Sequence, residues 1–294
     1  MRHPAVAGAF YPSESSTLEK TIEECFLDSK FGPGELPRRG NAKIFGVLVP
    51  HAGYVYSGPI AAHSFKAISE AGGFETYVII GTNHTGYGLP ISISPEDWIT
   101  PFGSVPLDKE LAEQIIKKSK VADFDRYAHF AEHSVEVQIP FIQYIHKKLG
   151  LGEFRIVAIT MGIHHDLELI KSLAQGIFDA IKELGRNAIV VASSDLNHVG
   201  RYYGVRTEGL TAREYGERLD NIAIEAILSF DVQKFLKVVK ENQMSVCGVG
   251  AIATLMEYSK IAGAKEIRLL KYANSAQISG DEDISVGYAS IITL

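Results

Sequence analysis

Cysteine is scarce in this 294-residue chain: only Cys25 and Cys247 are present, too few for a disulfide framework. Thiols of that number read as reduced, and the chain reads as cytoplasmic. Long apolar runs are missing too. Nothing approaches the ~20 residues that a membrane span needs, and the opening MRHPAVAGAFYP lacks the apolar core of a secretory signal. No cluster of Lys and Arg stands out, and the formal charge is −6, so nucleic acid and anionic membrane find no electrostatic footing. There are no repeats and no low-complexity segment. A phosphate loop is also absent, since neither GYVYSG nor GTNHTG matches the Walker or dinucleotide patterns.

What is present is an ordinary globular composition, 46% hydrophobic and 22% charged, with ample length for a large core. Short apolar runs of strand length alternate with helical patterns. Ile44–Val49, Thr76–Ile80, Arg155–Thr160 and Ala188–Ala192 read as buried strands, Ile91–Ser94 as a weaker one, and Ile267–Tyr272 and Ile284–Ile292 as strands that close or extend the sheet. Between them the spacing predicts helices over Ser13–Phe26 (with a Ser16/Glu19 capping box), from Pro59 onward, and over Asp108–Lys120. Further helices are predicted over Glu132–Lys148 (bent or restarted at Pro140), Asp166–Leu184, Thr211–Phe230, Val232–Glu241 and Ala251–Ala262. Residues 1–12 read as an extended arm, and Phe31–Gly40 as a surface loop rather than a domain boundary. The alternation predicts one α/β domain over 1–294, with a largely parallel central sheet flanked by helices.

Three polar clusters stand just past the carboxyl ends of apolar strands. Val49-Pro50-His51 leads into the turn 52–58. Ile80-Gly81-Thr82-Asn83-His84 ends the second strand. Ser193-Ser194-Asp195-Leu196-Asn197-His198 ends AIVVA. Any one of these histidines is more simply a core or capping residue. Strand ends in one sheet converge on one crevice, however, so His51, His84, Asp195, His198 and Cys247 can share a pocket. Imidazole and thiolate together suit zinc, iron or copper, although the spacing is no local signature such as HExxH or CxxC. Asp195 is expected to orient a ligand histidine. Glu132, His133 and Glu136 either point into the same crevice or start a helix. Tyr54 and Tyr56 either line the pocket or pack beneath the His51 turn. His164 and His165 read as surface or capping residues, and His63 as packed. Cys247 admits a second chemistry. A thiol at a helix start has a lowered pKa, and with His198 as base it suits a cysteine amidase-like hydrolase. Its plain alternative is a small buried residue before a tight turn.

VPHAGYVYSGPIAAHSF, GTNHTG, EHSVEVQIPF, SSDLNH and SVCGVG, with AGAFYP near the start, resemble the Memo family in order and over nearly the whole chain. That family is similar in fold to class III extradiol dioxygenases, which are non-haem iron enzymes. The resemblance implies His51, His84 and Cys247 as ligands of iron or copper, with zinc as a further candidate. It also implies Asp195 and His198 as pocket residues, His198 being the acid/base. The dioxygenases use a carboxylate where Cys247 stands; thiolate is softer and oxidisable, which puts ring cleavage in doubt. Two functions follow from the resemblance. One is a metal-dependent redox or oxygenase-like enzyme acting on an unnamed small molecule or peptide. The other is a non-catalytic binder of peptides or phosphopeptides on a degenerate dioxygenase scaffold.

Overall fold

The computed structural model describes residues 1–294. In chain order its first half holds α1 (Ser15–Leu27), β1 (Gly46–Val49), α2 (Tyr54–Glu70), β2 (Thr76–Thr82), β3 (Ile91–Ile93), β4 (Trp98–Thr100), β5 (Gly103–Val105), α3 (Lys109–Ser119), β6 (Asp123–Phe124) and α4 (Ile139–Leu149). The second half holds β7 (Arg155–Met161), α5 (Leu167–Leu184), β8 (Ala188–Ser193), β9 (His198–Gly200), α6 (Ala212–Leu228), α7 (Val232–Glu241), α8 (Val249–Ala262), β10 (Ile267–Asn274), α9 (Ser275–Ser279) and β11 (Ile284–Thr293).

The main sheet runs β10-β11-β1-β8-β2-β7-β3-β6, and β9 pairs with β11 off that path. Its centre, β1-β8-β2-β7, is parallel throughout. The margins are antiparallel where β11 meets β1 and β10 and where β3 meets β7. The parallel centre is covered on both faces, as such sheets usually are, and the outermost pair β3–β6 is parallel again. Alternation splits each central strand between two layers. Val78 and Ile80 of β2 and Val190 and Ala192 of β8 face the layer of α3, α5, α6, α7 and α8, whereas Tyr77, Ile79, Ile189 and Val191 face that of α1, α2 and α4.

Most strands and helices lie where the periodicity puts them, and the departures have local causes. Helix α2 starts at Tyr54, five residues before Pro59, which sits inside it. Its first turn is capped from outside, by Phe10 O accepting from Tyr54 N–H at 2.8 Å. Pro59 removes only the bond to the carbonyl of Val55, a residue on the solvent side, 74% exposed. Helix α1 is capped by Glu14, whose carboxylate accepts from the N–H groups of Ser16 and Thr17 at 2.9 and 2.7 Å; Ser16 lies within the helix, so the expected box cannot form. The segment before α4 is a short 3-10 turn, Glu136–Gln138, and the α-helix restarts at Ile139 with Pro140 in its first turn. The hairpin β4–β5, the strands β6 and β9 and the helix α9 went unread, being two to five residues long and without a measurable period.

The N-terminal arm is no loose extension. Arg2 is 4% exposed, stacks 4.3 Å over the Trp98 ring and donates to the carbonyls of His129 (3.1 Å) and Glu132 (2.5 Å). It forms an ion pair with Glu136, which also accepts from Ala5 N–H at 2.8 Å, Val6 N–H at 3.1 Å and Tyr11 O–H at 2.6 Å. Beside it His129 is fully buried; its Nε2–H donates to Ser92 O at 3.2 Å while Nδ1 has no partner. Burial, offset in part by that bond, pushes its pKa down from 6.5 to about 4. The unfolded chain then binds an extra proton between those two values, so this residue's contribution is intact above pH 6.5 and is lost as pH falls toward 4. Urea titrations at pH 7 and pH 4.5 should show the wild type's stability margin over His129→Asn shrinking by about 2 kcal/mol. A margin independent of pH would mean that His129 is not held neutral.

A candidate metal centre at the carboxyl edge of the sheet

Parallel pairing places the ends of β1, β2 and β8 on one edge. His51 follows β1 by two residues, His84 follows β2 by two, and Asp195 follows β8 by two. Cys247 arrives separately, in the turn between α7 and α8. Gly248 lets that turn approach β8, since a Cβ there would stand 2.5 Å from Ser194 Cβ and 3.0 Å from Ser193 O. Its N–H donates to Ser194 Oγ at 2.9 Å. The result brings one donor atom each from His51, His84 and Cys247 to within 4.8 Å of one another. His51 Nε2 is 3.2 Å from Cys247 Sγ. The ring of His84 lies edge-on to that of His51 at 5.1 Å, and His133 stacks on His84 at 4.7 Å.

Each imidazole is held with a chosen nitrogen turned inward. Ser193 O–H donates to Ser134 O at 2.6 Å, and Gln138 Nε2 donates to Ser193 Oγ at 2.9 Å. With its proton committed, Ser193 Oγ can only accept at 3.1 Å from His51 Nδ1, which must carry hydrogen. His51 therefore presents a lone pair on Nε2 toward Cys247. His84 Nδ1 donates to Glu132 Oε1 at 2.9 Å, and the same carboxylate accepts the N–H groups of His84 (2.6 Å), His133 (2.8 Å) and Ser134 (2.9 Å). The expectation that Asp195 orients a histidine ring is thus corrected. Its Oδ1 accepts the main-chain N–H of His51 at 2.8 Å, while the ring partners are Ser193 and Glu132.

The charges follow from these contacts. Burial lowers the pKa of His84, but hydrogen bonds to Cys247 and Glu132 and their negative charges outweigh it and push it up to about 10. Burial raises Glu132, and the two histidines with the N–H donors reverse it, taking it down to about 2. Burial, with His133 and His84 adding like charge, holds His51 well below the usual imidazole range. Burial likewise takes His133 down to about 4 and raises Asp195.

The crevice beside this group has a volume near 440 Å³, and His51, His84, His133, Asp195, His198 and Tyr56 are among its walls. His198 belongs to β9, and its Nδ1–H donates to the carbonyls of Leu196 and Ser245 at 3.1 and 3.2 Å, so Nδ1 is committed and Nε2 is the remaining ring nitrogen. Cys247 meets His51 rather than His198 as its imidazole neighbour. Three residues expected in the crevice, Tyr54, Glu136 and Glu132, lie outside it: Tyr54 is buried with its O–H on Val137 O at 2.6 Å, and Glu136 is buried against Arg2. Glu132 is a buried support of His84 and lies outside the crevice lining. Phe10, Tyr203, Ser275 and Tyr288 line the crevice unannounced by the sequence, because they come from the arm, a loop, α9 and the antiparallel margin. Ser193 and Gln138 went unassigned as well, although Ser193 stood in the SSD cluster.

Ser193→Ala should weaken metal affinity by about 10–100-fold, the usual effect of losing a ligand's outer hydrogen bond. Competition with a chromophoric chelator measures it, and an affinity within twofold of wild type would remove Ser193 from this role.

Fold and group together define an α/β protein with a His-His-Cys set, able to hold a metal ion, at the carboxyl edge of its sheet. The family profile described as Memo-like protein matches residues 2–292, and the chain belongs to that family. It is 45% identical to a MEMO1 family protein of Pyrococcus abyssi over 99% of both chains. It is 43% identical to one of Thermococcus kodakarensis, again over 99% of both. A MEMO1 family protein of Methanopyrus kandleri is 41% identical, over 99% of this chain and 98% of that one. Among solved structures, an uncharacterized protein, JW3007, of Escherichia coli K12 shares the fold with a TM-score of 0.55. It is 12% identical and covers 85% of this chain and 99% of that one.

Proposed function

We propose that His51, His84 and Cys247 hold a single metal ion and that the crevice beside it binds and transforms a small molecule. The observation that carries this is the convergence of three donor atoms within 4.8 Å from three separate segments. The set fits a metal chemically: two imidazoles with their outer nitrogens occupied, and a sulfur that bonds ions as thiolate. Iron, copper and zinc all accept such ligands, and sulfur favours copper(I) and zinc. A bound ion would supply Lewis acidity or an electron to an oxygen-bearing substrate. The chain's own residues do the remaining work. His198, its Nδ1–H committed to main-chain carbonyls, keeps Nε2 as the atom that would accept a proton beside the crevice, and Phe10 and His133 close one wall. We read the activity as redox or oxygenase-like. Elemental analysis of protein purified without chelators, followed by aerobic turnover of catechols with added iron(II), tests both halves. Less than one equivalent of any transition metal at saturation would sink the metal reading, and full loading without turnover would sink the oxygenase one.

Cys247 also sits at the start of α8 with His51 Nε2 at 3.2 Å, the geometry of a thiol that a base could activate. Iodoacetamide distinguishes the roles in a Cys25→Ser background, so that one thiol reports. As a metal ligand, Cys247 should label at least about tenfold more slowly with metal bound than after chelation. Equal rates in both states, with cleavage of peptide-like amides, would instead establish a cysteine hydrolase.

A further inference from the structure

The crevice has a charge signature that the metal donors do not account for. Four aromatic rings stand among its walls, Phe10, Tyr56, Tyr203 and Tyr288; no lysine or arginine lines it, and the His84 imidazole in its wall is already paired with the Glu132 carboxylate at 2.9 Å. Two carboxylates do line it. Asp195 is 4% exposed; its carboxylate is held by the main-chain N–H groups of His51, at 2.8 Å, and Ala52, and no side chain donates to it, His51 Nε2 standing 4.0 Å from Oδ2. Asp281 is exposed, with Oδ1 accepting Asp283 N–H at 2.9 Å and the other oxygen free to accept.

These walls discriminate by charge. A buried carboxylate that meets main-chain N–H groups but no cationic side chain favours a ligand that donates hydrogen bonds and disfavours another acceptor. Aromatic faces attract cations and repel anions through their quadrupole. Phosphate and carboxylate ligands are ordinarily gripped by arginine forks or lysine, and the crevice offers neither. Its volume, near 440 Å³, suits one ring with a short side chain. We infer that the crevice selects a small primary amine with an aromatic or apolar body, its ammonium group meeting the carboxylate walls and its body lying against the tyrosines. The inference rests on the reading that this crevice is the working site, and it concerns the walls outside the metal donors.

The test uses four ligands with the same ring and different heads: phenethylamine, 2-phenylethanol, phenylacetate and phenyl phosphate. Ligand-observed NMR titrations on the chelator-treated full chain should rank the amine first and both anions last. The amine should exceed the alcohol by roughly tenfold, the effect of a charge-assisted hydrogen bond. Asp281→Asn, an exposed substitution outside the metal donors, should narrow that gap by roughly threefold, as expected for a solvent-accessible ion pair. Raising the salt concentration should narrow it too. The inference is overturned if phenyl phosphate or phenylacetate binds as tightly as the amine, or if the gap ignores both the substitution and salt. Its failure is separable from that of the metal reading. Protein that takes up no metal yet ranks the amine first refutes only the metal site, and protein that loads zinc but prefers the phosphate refutes only the amine selectivity.

Discussion

Cys247→Ala should lower metal affinity by at least about 100-fold and leave the fold standing. The thiolate is the one anionic donor of the group, and its loss leaves two neutral imidazoles, too few for a closed or catalytic zinc-type site. Stability should change little, because the turn that carries Cys247 is fastened independently, by Gly248 N–H on Ser194 Oγ and by Thr82 Oγ1, which donates to Cys247 O at 3.0 Å. His51→Ala and His84→Ala should approach the same loss. Ser193→Ala should fall short of it, since it misaligns a donor without deleting one. The reverse ranking, with Ser193→Ala worse than Cys247→Ala, would place the ion elsewhere. Affinity is read by chelator competition, and the fold by circular dichroism and urea denaturation on the same samples.

The second large effect is structural. Glu136→Ala should destabilise the protein by about 3–5 kcal/mol, the usual result of removing one partner of a buried ion pair. Arg2 would remain 4% exposed with an uncompensated charge, and Ala5 N–H, Val6 N–H and Tyr11 O–H would lose their acceptor together. The effect should reach the metal centre. Glu136 anchors the arm that sets Phe10 against His133 at 4.7 Å, and Arg2 braces Glu132 O in the segment whose carboxylate holds His84. Metal affinity should therefore fall along with stability in Glu136→Ala, whereas His129→Asn should leave affinity unchanged. Urea unfolding that moves by less than 1 kcal/mol would show that the arm is held by its apolar contacts alone.

The contrast between these residues shows what a sequence displays. His51, His84, Asp195 and His198 were legible because a buried strand announces itself by composition, and the residue after its carboxyl end is then placed without further knowledge. Cys247 was a candidate by its chemistry alone, and the family resemblance chose it as the third ligand, because nothing in a turn between two helices says which strand end it will meet. Glu136 was misread as a crevice residue. It sits in a 3-10 turn, where the side-chain direction depends on a partner 134 positions away. Gln138 and Ser193 were invisible as supports because a neutral polar side chain has no signature beyond its own identity. Tyr288 comes from β11 in the antiparallel margin and Ser275 from α9, which follows β10, so both depend on how the whole sheet closes. Local pattern thus gave the strands and their ends, and long-range pairing decided what faces each donor.

The placement of β11 also governs the order in which the molecule can be built. β11 is the outer neighbour of β1, with Gly46 paired to Thr293, and a side-chain bond between those two residues spans 247 positions. While the chain is being made, β1 has no neighbour on either side until β8 emerges, and its second edge stays open until β11 follows. Cys247 lies 196 positions after His51 and so is made long after the strand end it meets. The candidate donor set of His51, His84 and Cys247 is therefore complete only after Cys247 has been added. Closure across so long a separation is slow, and it leaves the β1 edge exposed to off-pathway pairing in the interval. Cells making this protein face a window in which an apolar strand waits for a partner not yet synthesised.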